Sequence, residues 1–269
     1  HASSLWLGRT GNRPRFVVTR RMDYPERRGW YTHCLYNRKV DGVIVISQAI
    51  GDLLERAGVE ARKIRRIPSG IEPRRFEACA SSRIASSAIK VIGCLGGLEE
   101  RKGHQFLFDA AALLKSEGFK LRYRVAGDGP ARDDLEQQAV RLGLRDDVEF
   151  LGFVADTPDF FLGVDLLAMP SLYEGLGVAA LEAMAAGKAV IATRVGGLAE
   201  SVIDGVTGIL VAPKDARALA GAIAKLVRDP ALADEMSRRG RERVLQHFTL
   251  ERMAEQNESY YYELLRAVT

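Results

Sequence analysis

Short runs of β-branched and other apolar residues alternate along this chain with stretches whose apolar positions recur every three to four residues. The first kind predicts strands and the second predicts helices. "RFVVTR" (15–20) and "DGVIVIS" (41–47) are predicted strands, and "QAIGDLLERAGV" (48–59) is a predicted helix. "KIRRIPSGIEPRRF" (63–76) reads as a strand running into a turn marked by proline and glycine. "ACASSRIASSA" (78–88) is small, polar and without period, which predicts a linker at 77–87. After it the alternation sharpens. Strands are predicted at 89–95, 121–126, 148–153, 165–169, 189–194 and 207–211. Helices are predicted at 103–117, 131–143, 157–162, 177–186, 197–203 and 215–228, and 231–269 reads as helical throughout.

Strands that are apolar on both faces and alternate with helices argue for an α/β class, with parallel sheets wrapped by helices. Such sheets bind ligands beyond the carboxyl ends of their strands, where loops meet helix N-termini. The GxGxxG dinucleotide fingerprint is absent, because "GDGP" (127–130) lacks the third glycine. No GxxxxGK[ST] phosphate loop occurs either.

Composition narrows this picture modestly. The 269 residues, 47% hydrophobic and 28% charged, suit a globular protein of two modest domains. A net charge of +4 is too weak to argue for nucleic acid but is compatible with anionic ligands or a membrane surface. No apolar run approaches the ~18 residues of a membrane span, and no signal peptide is visible. The three cysteines, Cys34, Cys79 and Cys94, have no metal-ligand spacing and read as free thiols of a reducing compartment, so a cytoplasmic location is expected. The four histidines form no cluster that reads as a metal site. The chain starts at His1, which reads as a fragment or a processed chain.

Chemistry concentrates in "SLYEGLGVAALEAMAAGKAVIATRVGG" (171–197), which holds only two carboxylates, Glu174 and Glu182. An ionised carboxylate in apolar surroundings is costly unless something pairs with it. "EGLG" (174–177) joins a strand to a helix. Gly175 and Gly177 allow the backbone to approach a ligand closely. The N–H groups of Leu176, Gly177 and Val178 at the helix start make an anion site suited to phosphate. Glu182, the helix's single charge, lies roughly 7 Å along the axis from Gly177, within reach of a ribose if a diphosphate sits at the helix start. Glu174 would face the other end of such a ligand. The plainer reading is a helix cap and one acid reaching for solvent.

The spacing Glu174–x7–Glu182 resembles the E-x7-E signature of retaining GT-B glycosyltransferases of the family 4 type. "IPSGIEPRRF" (67–76), "LGGLEERKGHQFLFDAAALL" (95–114), "VAGDGP" (125–130), "VEFLGFV" (148–154), "VGGLAESVIDGVTGILVAP" (195–213) and "FTLERMAEQNESYY" (248–261) match that family in order. The resemblance implies a GT-B fold: a Rossmann-like C-terminal donor domain over 88–250, and the second part of an N-terminal Rossmann-like, acceptor-side domain over 1–76. It also implies a C-terminal helix, 251–269, returning toward the N-terminal domain. In such enzymes the active site lies in the cleft between the domains.

By the same resemblance, Glu174 contacts the donor sugar, Glu182 the ribose, and Lys102 the diphosphate. Glu174 and Lys102 are the expected catalytic groups. Glu182, Gly175, Leu176, Gly177, Val178 and Arg101 are expected to bind the donor. There are departures. Gly97 stands where the family usually has an arginine, and Arg101 is the candidate substitute. Leu176 and Lys188 stand where phenylalanine and proline are common, and Arg20 and Arg21 stand where relatives often carry a histidine. Those two arginines bind an anionic acceptor or are surface charges.

The implied activity is transfer of a sugar, most often a hexose, from a nucleotide diphosphate sugar to a saccharide or lipid-linked acceptor, as in cell-envelope polysaccharide synthesis. No cofactor or metal is expected, because no DxD pair occurs in a suitable loop. Peripheral association with the inner face of the membrane is compatible with the charge, and no nucleic-acid partner is expected. Two alternatives stay open. One is a donor-binding fragment without turnover, because the usual first strand and its glycine-rich loop are not found. The other is a nucleotide-sugar 2-epimerase, which lacks the E-x7-E arrangement in this context.

Overall fold

The computed structural model describes residues 14–24, 29–81 and 90–266. The chain forms two compact units, residues 1–70 with 250–269, and residues 71–249.

In the first unit, β1 (Val17–Arg20), β2 (Gly42–Val45) and β3 (Ile64–Arg66) form a parallel sheet in that order. Val17 pairs with Gly42, and Val43 with Ile64. All four residues of β2 are buried, as a central strand covered on both faces requires. Between β1 and β2 lies a short helix, α1 (Trp30–His33), which runs into a π-helical turn at Cys34–Lys39. Sequence pattern misses this segment, because its apolar residues keep no fixed period. α2 (Gln48–Arg56) starts at Ser47, whose hydroxyl accepts the Ile50 N–H at 3.3 Å.

The second unit begins with a 3₁₀ turn at Pro73–Phe76 that runs directly into α3 (Glu77–Ser81). The expected linker at 77–87 is therefore helical in its first five residues. Phe76 and Cys79 supply the reason, since both are buried and burial of their side chains fixes the turn. Residues 82–87 of that expectation lie outside the described residues. Then come β4 (Lys90–Leu95), α4 (His104–Ser116), β5 (Leu121–Ala126), α5 (Arg132–Arg141), β6 (Val148–Gly152) and α6 (Thr157–Leu162). β7 (Leu166–Met169), α7 (Val178–Ala185), β8 (Ala189–Thr193), α8 (Leu198–Ser201), β9 (Gly208–Val211), α9 (Ala216–Arg228) and α10 (Pro230–His247) complete it. The six strands are parallel in the order β6-β5-β4-β7-β8-β9. Counted within the unit this is 3-2-1-4-5-6, the doubly wound order whose ligand crevice opens where the winding reverses, between β4 and β7.

The core of this unit sits between the sheet and α4, α5 and α9, around Ile92, Leu107, Phe108, Leu114, Val125, Ile191 and Ile223. Asp215 and Asp229 cap α9 and α10 by accepting the N–H groups of Ala218 (2.8 Å) and Leu232 (3.0 Å). The helical run predicted for 231–269 breaks at Phe248, whose buried ring turns the backbone out of helical geometry. At the same place Ile71 bridges Thr249, and the Ile71 N–H donates to Phe248 O at 2.9 Å.

α11 (Leu250–Arg266) belongs to the first unit. It packs Tyr260, Met253 and Leu264 against Ile44, Ile67 and Val17. The Tyr260 hydroxyl stands over Gly42, where an added Cβ would lie 2.3 Å from it, and donates to Lys63 O at 3.2 Å. Among the described residues, no helix is long and apolar enough to cross a membrane.

Candidate functional site

Two loops leave the sheet at the reversal between β4 and β7. The β4–α4 loop carries Arg101 and Lys102, and the β7–α7 loop carries Ser171 and Glu174. The loops are tied through backbone. Arg101 O accepts the N–H of Leu172 at 2.7 Å and of Tyr173 at 3.4 Å. Gly103 closes the first loop in the left-handed region (φ 67), and a Cβ there would lie 2.1 Å from Pro170 O. Only glycine meets both demands.

This clamp brings together two charges 72 residues apart in sequence. Lys102 Nζ donates to Glu174 Oε2 at 2.5 Å, with the two side chains 15% and 12% exposed. Ser171 Oγ also donates to that oxygen, at 3.4 Å. A mostly buried ion pair is poor evidence of stability, because desolvation offsets much of the attraction. Each partner, however, prevents the other from being a lone buried charge.

The helix that follows starts as the sequence predicts, one residue later. Gly177 is its N-cap, at φ 82, and a Cβ there would lie 2.4 Å from Leu198 Cδ2. Among the described residues, the N–H groups of Leu176, Gly177 and Val178 find no acceptor, whereas Gly177 O takes the N–H of Ala180 at 2.9 Å. Unfilled donors at the start of an apolar helix are suited to an anion. The loop is held from behind. Gly197 N–H donates to Glu174 O at 2.9 Å, and Ser201 Oγ to Leu176 O at 2.6 Å. Leu176, expected to bind donor, buries its side chain, so only its backbone can serve a ligand.

Glu182 lies in α7 and receives Thr157 Oγ1 at 3.3 Å from the start of α6. Burial pushes its carboxyl above the usual value, while the Thr157 hydrogen bond and the charge of Arg75 pull it down. Arg75 is itself paired with Asp156 at 2.8 Å. Thr157 and Arg75 carry no sequence signal that would have singled them out.

Arg101 is in the loop, but its Nε is held by Glu99 Oε2 at 2.6 Å. Arg20 and Arg21 lie in the first unit. Arg20 donates to the carbonyls of Met22 (3.1 Å) and Tyr24 (2.7 Å), and Arg21 donates to Ser69 Oγ at 3.2 Å. Behind Lys102, His104 is 1% exposed, and neither ring nitrogen has a partner among the described residues. Burial, helped by the Lys102 charge, lowers its pKa to about 4, so it is neutral at physiological pH. Cys94, beneath the same loop on β4, is pushed up to about 12 by burial and is an inert thiol. Among the described residues no group of three or more His, Cys, Asp or Glu side chains is placed to hold a metal ion.

The sequence profile of the family described as "Glycosyl transferases group 1" matches residues 84–243. The chain is 32% identical over 222 residues to the 2-deoxystreptamine glucosyltransferase of Streptomyces kanamyceticus, covering 78% of this chain and 57% of that one. It is also 32% identical over 237 residues to the lipopolysaccharide core biosynthesis glycosyltransferase LpsE of Rhizobium meliloti, covering 88% and 66%. It therefore spans somewhat over half to two thirds of these relatives' lengths. Among solved structures, Anabaena HepE in complex with UDP and glucose superposes with a TM-score of 0.81 at 26% identity, over 93% of this chain and 72% of that one. A glycosyltransferase from Rickettsia africae superposes at 0.84 with 23% identity, a likeness of fold, covering 93% and 70%. Sequence profile, parallel α/β fold and relatives agree, and the chain belongs to the group 1 glycosyltransferases.

Proposed function

We propose that the unit spanning residues 71–249 binds a nucleoside diphosphate sugar at the reversal between β4 and β7. The whole protein would then transfer the sugar, with retention of configuration, to a saccharide or lipid-linked acceptor. The observation that carries this reading is the Lys102–Glu174 pair, which sits at the winding reversal beside the unfilled N–H groups of α7. These are the parts that a diphosphate ester with a polyhydroxylated end calls for. The lysine and the amides would take the phosphates, and Glu174 would take sugar hydroxyls. Glu182, one and a half turns further on, would take the ribose. HepE, the relative solved with UDP and glucose, supports the ligand class.

In transfer, the bond from the anomeric carbon to the diphosphate oxygen breaks, and negative charge grows on the leaving phosphate. In this reading Lys102 and the amides of residues 176–178 would stabilise that charge. The acceptor hydroxyl forms the new bond and gives its proton to the leaving phosphate. No protein nucleophile and no metal take part in this reading. Arg20 and Arg21 are carried as acceptor-side residues, to be tested by charge removal.

The test is calorimetric titration of this chain with UDP-, GDP- and ADP-linked hexoses, repeated with Lys102→Ala and Glu182→Ala and with a chelator. One donor should bind, both substitutions should weaken it, and the chelator should change nothing. Binding that survives both substitutions would remove the site.

A further inference from the structure

Asp156 and Thr157, at the start of α6, have side chains of the kind that hold helix starts in place. Both turn away from the helix. Asp156 is the N-cap but makes no capping hydrogen bond, and its Oδ1 accepts from Arg75 Nη2 at 2.8 Å. Thr157 Oγ1 donates to Glu182 Oε1 at 3.3 Å.

A helix start without its cap is held by something else, and α6 is held on its apolar side. Phe160 and Phe161 are buried, and the Phe161 ring meets Phe76 edge to face, 6.0 Å between centroids. Cys79 Sγ donates to Pro158 O at 3.3 Å. Residues 75–79 are thus fastened to α6 at Asp156, Pro158 and Phe161. Burial of these rings, rather than a cap, fixes where Thr157 stands.

The effect on Glu182 follows from side-chain chemistry. The last torsion of a glutamate has a broad minimum, so the chain by itself does not fix the plane of its carboxylate. A hydroxyl bonded to one oxygen does. Each carboxylate oxygen has about two acceptor positions, so Oε1 keeps one and Oε2 keeps both. Among the described residues no donor is bonded to Oε2. Burial works against the ionised form of this carboxyl, and the Thr157 hydrogen bond works for it.

We propose that Thr157 is a positioning residue for Glu182, setting the plane of its carboxylate so that both oxygens meet the vicinal diol of a ribose. This rests on the donor-site reading, in which Glu182 takes the ribose. It adds that preference for a ribonucleotide depends on a hydroxyl that acts by way of Glu182.

The test compares UDP, GDP and ADP with their 2′,3′-dideoxy analogues by calorimetry. The unsubstituted chain should bind at least one of the three and prefer it to its analogue. Thr157→Val, which keeps the shape and removes the hydroxyl, should weaken that nucleotide about fivefold, the loss of one hydrogen bond. It should leave the affinity for the dideoxy analogue unchanged, a selectivity that loosened packing would not show. In a Glu182→Ala background the same substitution should have no effect, because a residue that acts through another then has nothing to act on. Thr157→Ser should keep the preference of the unsubstituted chain. If Thr157→Val leaves that preference intact, weakens both nucleotides equally, or has the same effect without Glu182, the proposal is overturned. Equal binding of ribonucleotide and analogue by the unsubstituted chain would remove the ribose role of Glu182, and this role of Thr157 with it. Binding of none of the three would overturn the donor-site reading as a whole.

Discussion

Two sets of ion pairs in the second unit make an instructive contrast. On α10, Glu235 accepts from Arg238 (2.8 Å) and Arg239 (2.6 Å), and Arg238 also reaches Glu242 at 2.5 Å. The geometry is good, but every member is solvated and the partners are one helical turn apart. At the β4/β7 reversal, Lys102 and Glu174 are joined at a similar distance, are largely removed from water, and come from loops 72 residues apart. Exposed pairs contribute little and are easily replaced. The buried pair is expensive to assemble and damaging to halve. Stability alone would favour apolar side chains at the crevice of the sheet, so the cost of the second kind is what the proposed ligand role would account for.

Ligand binding should break this contrast most sharply. Glu182→Ala should weaken a nucleoside diphosphate sugar by on the order of 2–4 kcal/mol, the loss of two hydrogen bonds to a charged acceptor. Stability should move the other way. Burial raises the Glu182 carboxyl pKa, so the folded chain holds that proton more tightly than the unfolded chain does. The stability this group gives is full below the usual carboxylate range and falls as pH rises through the raised value. Glu182→Gln should therefore melt higher than wild type at neutral pH and equal to it at acid pH. A variant that is less stable at pH 7 would refute the burial argument.

His104 supplies the next effect. Its folded pKa, about 4, lies below the ordinary 6.5, so the unfolded chain takes up the proton first. Stability should be full above pH 6.5 and fall by about 3 kcal/mol on acidification to pH 4. Urea titrations across that range check this, and His104→Leu should flatten the dependence.

Lys102→Ala should reduce affinity for the diphosphate by about 1–3 kcal/mol while leaving affinity for the free nucleoside unchanged. It should also destabilise the empty protein by stranding Glu174, and Lys102→Ala with Glu174→Gln should recover part of that loss. Equal losses for both ligands would point to folding instead. The smallest effect belongs to α10, where Glu235→Ala should leave the melting temperature within experimental error.

The sequence made much of the second unit readable, because its strands are buried on both faces. β7, β8 and the apolar α7 carry almost no polar residues to blur the pattern, and both acids of the 171–197 stretch stand out against it. What stayed hidden depends on three-dimensional proximity. Nothing local says that Lys102 meets Glu174. That follows only from strand order, which puts the first and fourth strands of the unit side by side. Thr157 reaches Glu182 for a similar reason. His104, one histidine after a glycine, gives no hint of its burial. The 77–81 helix was missed because "EACAS" is composed of small residues, and its order comes from the burial of Phe76 and Cys79. The α1 turn was missed because a π-helical segment follows neither of the two periods that sequence reading relies on.

The pairing of Ile71 with Thr249 has a consequence for construction. The first and last residues of the second unit lie side by side, so its whole path is a loop closed at a single seam. A fold whose ends meet can be reopened elsewhere and rejoined at the seam by a short linker, as circular permutation requires. The exposed turn at Gly143 between α5 and β6 is one place to cut, since among the described residues its carbonyl accepts from the Lys115 side chain and from no backbone N–H. The same seam would let residues 71–249 be spliced into a surface loop of an unrelated host, because its two attachment points do not have to be stretched apart.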